Sequence, residues 1–112
     1  MARDELLKHH ELICKSAQDL MNLKNRDYAG NGGKEPFANF TRCESLGVCT
    51  TEQGMLVRVV DKISRLSSFI EAGKMSVENE SFHDSCIDII NYMVILSAYI
   101  TERDGVEEQY GC

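Results

Sequence analysis

The sequence predicts an all-α fold, a small bundle of three long helices plus a short one, completed by oligomerisation. Three observations carry that expectation. Apolar residues recur at helical spacing along three long segments, no segment alternates with the period of a half-buried strand, and no internal repeat is present. The last long segment is also apolar around nearly its whole circumference, which a chain of 112 residues cannot bury alone. A single helical domain is expected over residues 1–103, with 104–112 as a polar C-terminal tail.

The first helix is expected from about Asp4 to Lys24, where Leu6, Ile13, Ala17, Leu20 and Met21 alternate with charged residues at amphipathic spacing. It runs into a loop, Lys24 to Pro36, that holds Gly30, Gly32, Gly33 and the only proline. Backbone N–H groups of such a loop can meet a ligand, although the spacing matches neither a P-loop nor a GxGxxG turn. Phe37 to Glu44 reads as a short helix with Phe37 and Phe40 on one side, stopped by Gly47. These two aromatics suit either core anchors or a base-stacking platform.

Thr50-Thr-Glu-Gln53 has the spacing of a capping box and opens the second long helix, which Gly73 closes. Met55, Leu56, Val59, Ile63, Leu66 and Ile70 are expected to form its buried face. Gly54, Arg58, Asp61, Arg65 and Ser68 form a polar stripe, with Gly54 permitting close approach. Residues 74–79 form a linker, and the last helix is expected to run to about Arg103 and to end at Asp104-Gly105.

The chemistry concentrates in that last helix. Glu80, Asp84, Asp88 and Asn91 fall within an arc of roughly 80°, while Ile87, Ile89, Ile90, Met93, Val94, Ile95, Leu96 and Ile100 fill the rest of the circumference. Carboxylates on a mostly buried helix need cations, hydrogen-bond donors or a metal as partners. Carboxylates on facing helices, Asp61 on one and Glu80, Asp84 and Asp88 on the other, suit a hard divalent ion such as Mg2+ holding a polyphosphate. Arg58, Lys62 and Arg65 would then neutralise phosphate oxygens. The same pattern also suits acids that pair across the bundle with Arg58, Lys62 and Arg65, or a surface ladder of ion pairs.

A net charge of −6 and a pI near 5.0 argue against binding of duplex nucleic acid, which needs a basic face. The charged N-terminal segment lacks a signal-peptide core, and no apolar run reaches membrane-spanning length, so a cytoplasmic protein without membrane association is expected. Cys14, Cys43, Cys49, Cys86 and Cys112 are odd in number and irregularly spaced, and read as reduced thiols. His83 and Cys86 alone make an incomplete metal site. No Ser or Cys lies in a recognisable nucleophile turn.

Four short motifs stand in series: Lys24-x-x-Asp27-Tyr28, Phe37-x-Asn39-Phe40, Val57-Arg-Val-Val-Asp61-Lys62-Ile-Ser-Arg65, and Glu80-Ser-x-x-x-Asp84-x-x-x-Asp88-x-x-Asn91-Tyr92. Together they resemble nucleotide modification associated domain 1, a small phage and bacterial domain, over roughly residues 20–100. More distantly they are similar to the MazG-like all-α nucleoside triphosphate pyrophosphohydrolases. The resemblance implies a homo-oligomer, dimer or tetramer, that binds a nucleotide and holds Mg2+ on Asp61, Glu80, Asp84 and Asp88. It implies that Lys24, Arg58, Lys62 and Arg65 grip phosphates, that Asn91 or Tyr92 orients water or sugar, and that Asp27, Tyr28 and Asn39 complete the substrate site.

The chain departs from the MazG pattern at two places. The helix before the last carries Asp61 among Arg58, Lys62 and Arg65 where a glutamate cluster is expected, and the last helix reads Asp84-x-x-x-Asp88 in place of ExxD. Two functional readings follow. One is a Mg2+-dependent pyrophosphohydrolase or related nucleotide-processing enzyme. The other is a non-catalytic binder that sequesters a nucleotide or a nucleotide-derived signal through its basic residues.

Overall fold

A computed structural model describes residues 1–28, 35–73 and 82–105, with the backbone alone of residues 25–28. They form four helices: α1 (Arg3–Tyr28), α2 (Ala38–Ser45), α3 (Thr51–Ala72) and α4 (Phe82–Asp104). The fold is all-α, three long helices and a short one, with no strand among the described residues. α4 is the central element, packed on one side by α3 and on another by α1, while α2 packs against α3. No described helix is long and apolar enough to cross a membrane.

Local sequence explains the helix boundaries. α1 carries Asp4 and Glu5 in its first turn, where carboxylates favour the positive end of the helix dipole. It continues about a turn beyond Lys24. α2 ends where Gly47 takes φ +76°, a left-handed conformation that glycine adopts without steric cost. At the start of α3 the capping box is complete: Gln53 N–H donates to Thr50 Oγ1 at 3.1 Å, and Thr50 N–H donates to Gln53 Oε1 at 3.0 Å. Gly73, at φ +69°, closes the helix and donates its N–H to Ile70 O. Glu44 Oε1 accepts from Thr51 N–H at 2.9 Å, joining the end of α2 to the start of α3.

The buried apolar residues among those described are few: Ala17, Ala38, Phe40, Met55 and Val59. Both phenylalanines of the short helix region point at α4, as their spacing predicts. Phe37 meets Tyr99 edge-on at 5.5 Å between ring centroids, and Phe40 meets Tyr92 edge-on at 6.3 Å. Tyr92 and Tyr99 stand two turns apart on α4, so two aromatic pairs clamp α2 onto it.

The buried face of α3 differs from the sequence expectation. Met55 and Val59 are buried and Leu66 is half-buried, but Leu56, Ile63 and Ile70 are exposed. The helix is apolar over a wider arc than its neighbours cover, and contacts with α4 and α2 select the Met55–Val59–Leu66 side. Gly54 also has a different role. It lies against the side chains of Cys49 and Phe40, with room for a methyl group, and it does not line the pocket described below. The described cysteines Cys14, Cys43, Cys49 and Cys86 are free thiols. The glycine-bearing loop at 30–33, the linker 74–79, Glu80 and residues 106–112 lie outside the described residues.

Candidate functional site

One pocket lies where α1, the start of α2, α3 and α4 converge, with a volume of about 370 Å3, within the roughly 300–1,000 Å3 range of small-molecule sites. Each helix contributes because its sequence turns one stripe inward at that point. Lys24 comes from α1, Asn39 and Phe40 from α2, Arg58, Asp61, Lys62 and Arg65 from α3, and Asp88, Asn91 and Tyr92 from α4. Nine of the thirteen residues singled out from the sequence therefore line one cavity.

Asp88 is the anionic centre of this wall, 7% exposed and matched on both oxygens. Lys62 Nζ lies 2.9 Å from its Oδ2, and Lys24 Nζ lies 3.5 Å from its Oδ1. Burial of a carboxylate at this depth is tolerable because two ammonium groups from two other helices converge on it. Asp61, on the exposed side of the pocket, pairs with Arg65 at 3.7 Å between Oδ2 and Nε, one turn along α3. Arg58 forms no ion pair with any described residue and lines the pocket.

The two asparagines are oriented by their partners. Asn91 donates its side-chain N–H to the carbonyl oxygen of Ala17 at 3.0 Å, and a carbonyl only accepts, so the nitrogen is committed and Oδ1 is left to accept. Asn39 Oδ1 accepts from Arg42 at 3.3 Å, and a guanidinium only donates, so the NH2 group of Asn39 is left to donate. The pocket thus offers one amide acceptor and one amide donor. Phe40, Tyr92, Met21, Pro36 and Ile95 supply the apolar part of the wall. Of these, Met21, Pro36 and Ile95 carried no functional signal in the sequence. Ile95 one turn beyond Tyr92 and Met21 one turn before Lys24 share the helical faces of recognised residues, which is the only trace they leave.

Four of the thirteen residues do not reach the pocket as described. Asp84, one turn before Asp88 on α4, is exposed and does not line the pocket. Glu80 lies outside the described residues, and Asp27 and Tyr28 lie in the part of α1 whose backbone alone is described. Among the described residues no group of three His, Cys, Asp or Glu side chains is placed to hold a metal ion. The carboxylates that do face the pocket are Asp61 and Asp88. Asp88 has an ammonium group on each oxygen and Asp61 pairs with Arg65, so a metal ion bound by these carboxylates would compete with those cations.

The electrostatic balance is cationic. Lys24, Arg58, Lys62 and Arg65 against Asp61 and Asp88 leave four positive charges minus two negative, an excess of two, in a chain of net −6. No known protein family, curated protein or solved structure matches the chain.

Proposed function

We propose that this pocket binds a nucleotide and holds its phosphates directly on Lys24, Arg58, Lys62 and Arg65. The observation that carries the reading is the local excess of positive charge beside an aromatic and apolar wall, in a protein that is acidic elsewhere. Guanidinium and ammonium groups at the mouth suit phosphate oxygens, and the partly enclosed site strengthens those contacts over their worth in bulk water. Phe40 and Tyr92 suit the face or edge of a planar base. Asn91 Oδ1 and the Asn39 amide N–H suit the donors and acceptors of a base or sugar.

The resemblance to nucleotide modification associated domain 1 supports the same reading. Each of its four motif segments, far apart in sequence, contributes residues to this one cavity. A sequestering or sensing protein needs no more than this.

Mg2+-dependent hydrolysis of a nucleoside triphosphate is the second reading, favoured by one observation: Asp61 and Asp88 face the same cavity as the cations. A magnesium ion that keeps its waters and phosphate ligands needs only one or two carboxylates.

One experiment separates them. The purified protein is incubated with nucleoside and deoxynucleoside triphosphates and cyclic nucleotides, with and without magnesium, and free and retained species are identified by mass spectrometry. An intact nucleotide recovered from the denatured protein without magnesium supports the direct grip. Monophosphate products formed only with magnesium support hydrolysis. A pool unchanged in both conditions, with nothing retained, rejects nucleotide binding.

A further inference from the structure

We propose that Cys43 and Cys49 form a dithiol site, which a small disulfide of the glutathione class converts to an intramolecular Cys43–Cys49 disulfide. Five residues lie between them in sequence, and the chain folds back across that gap at the end of α2. Val48 N–H donates to Cys43 O at 2.9 Å and Gly47 N–H donates to Glu44 O at 3.0 Å, the paired bonds of a Schellman turn, with Gly47 left-handed at φ +76°. Residue 49 is thereby returned toward the last turn of the helix that carries residue 43.

Each sulfur is placed by its own contacts. Cys43 Sγ donates to the carbonyl oxygen of Asn39, one turn back on α2, at 3.6 Å. Cys49 Sγ lies over Gly54 of α3, next to the ring of Phe40. The two thiols are in polar contact with each other, and both residues are partly exposed, so a solution oxidant reaches them. Neither cysteine lines the pocket, and the site stands or falls independently of what the pocket binds.

The attacking species in thiol–disulfide exchange is a thiolate. Partial burial, the neighbouring Cys43 thiol and the Glu44 carboxylate hold the Cys49 thiol above its usual range, which assigns the first attack to Cys43. Cys43 loses its proton, its sulfur bonds to one sulfur of the small disulfide, and the other sulfur leaves as a thiolate. Cys49 then loses its proton and attacks the Cys43 sulfur, expelling the second thiolate. Two cysteine thiols are oxidised, one small disulfide is reduced to two thiols, and the leaving thiolates take up the two protons. The second step is intramolecular and so outruns attack by a free thiol. Losing the Cys43 S–H leaves no unpaired group on the helix, because Asn39 O also accepts the backbone N–H four residues on.

The test equilibrates the full chain in glutathione buffers of rising disulfide fraction, then quenches, alkylates and digests it with trypsin without reduction. Cleavage after Arg42 and Arg58 leaves both cysteines in one peptide, 43–58. The internal disulfide therefore reads as that peptide two hydrogens lighter and free of alkylation. This form is expected to exceed any mixed disulfide with glutathione. It is also expected to reach half-conversion at a several-fold lower disulfide fraction in the folded chain than in urea, since the fold holds the sulfurs together. Cys49→Ser is expected to trap Cys43 as a mixed disulfide, and Cys43→Ser to take up glutathione at Cys49 several-fold more slowly. A peptide recovered doubly alkylated, or only as mixed disulfides, overturns the proposal. So does conversion in urea at an equal or lower disulfide fraction. Equal rates in the two single variants overturn the assignment of the first attack to Cys43.

Discussion

Lys62 on α3 and Asp88 on α4 form the most deeply placed ion pair at the pocket, 2.9 Å between Nζ and Oδ2, with Lys24 of α1 at 3.5 Å from the other oxygen. Three helices are joined through one carboxylate. Its two lysines also border the cavity where phosphates are proposed to sit. The pair therefore belongs both to the stability of the bundle and to the electrostatics of the site, and substitutions on its two sides separate those contributions.

Replacing Lys62 by Met leaves Asp88 with Lys24 as its one remaining cation among the described residues. Removing one partner of a buried pair costs about 3 kcal/mol because the other charge stays desolvated. Lys62→Met is expected to lower the urea midpoint accordingly, without change in the slope of the transition. An unchanged midpoint would show that water already reaches Asp88.

Asp88→Asn tests the two functional readings against each other. It raises the excess charge of the pocket from two to three and removes the carboxylate charge that both lysines face. If phosphates are held directly, affinity for a triphosphate without magnesium is expected to rise several-fold, measured by calorimetry on protein shown to be folded. If Asp88 holds a metal, the same change abolishes magnesium-dependent turnover and raises nothing.

Arg58→Ala isolates binding from folding. Arg58 is exposed, forms no ion pair with a described residue and borders the cavity. Stability is expected to stay within about 0.5 kcal/mol of the parent, while a lost charge-assisted contact to phosphate weakens nucleotide affinity about tenfold. The remaining affinity is expected to fall with added salt, since the exposed cations are screened. Unchanged affinity would place the phosphates away from this side of α3.

Gly54→Ala is expected to stabilise the protein by about 0.5–1 kcal/mol, the difference in helix propensity between the two residues. The position is inside α3, and an added Cβ meets Cys49 Sγ at 3.6 Å and Phe40 Cδ1 at 3.8 Å, ordinary contact distances. A raised thermal midpoint with unchanged nucleotide affinity is the expected result. A fall in affinity would restore the sequence-based view of Gly54 as a point of close ligand approach.

Much of the fold was legible in the sequence because its signals are local. The Thr50–Gln53 box, Gly47, Gly73 and the 3.6-residue spacing each act within one or two turns, and the helices begin and end where those signals lie. Which face of α3 is buried was not legible. Met55–Val59–Leu66 and Leu56–Ile63–Ile70 are both apolar at helical spacing, and only the placement of α4 and α2 chooses between them. The same limit applies to the acids of α4. Glu80, Asp84 and Asp88 share a face by periodicity, but depth of burial changes along a helix, so Asp88 is buried while Asp84, one turn earlier, is exposed. The convergence of Lys24 and Lys62 on Asp88, at sequence separations of 64 and 26, is tertiary and has no local trace.

Asn91 carries the last prediction, because it ties α1 to α4 with one end of its amide and faces the pocket with the other. Asn91→Leu removes the donor to Ala17 O, and a net loss of about 1–3 kcal/mol is expected for a carbonyl left without its partner. It also removes the Oδ1 acceptor. Asn91→Asp keeps an acceptor toward the pocket but cannot donate to Ala17 O, so it is expected to lose comparable stability. It also adds a negative charge beside the phosphate-binding cations. Asn91→Gln keeps both functions on a longer side chain. If Oδ1 reads a donor on the base or sugar, the Leu variant loses nucleotide affinity at a temperature where it is fully folded, and Gln restores part of it. Equal affinity in the Leu variant and the parent would assign Asn91 to the helix tie alone.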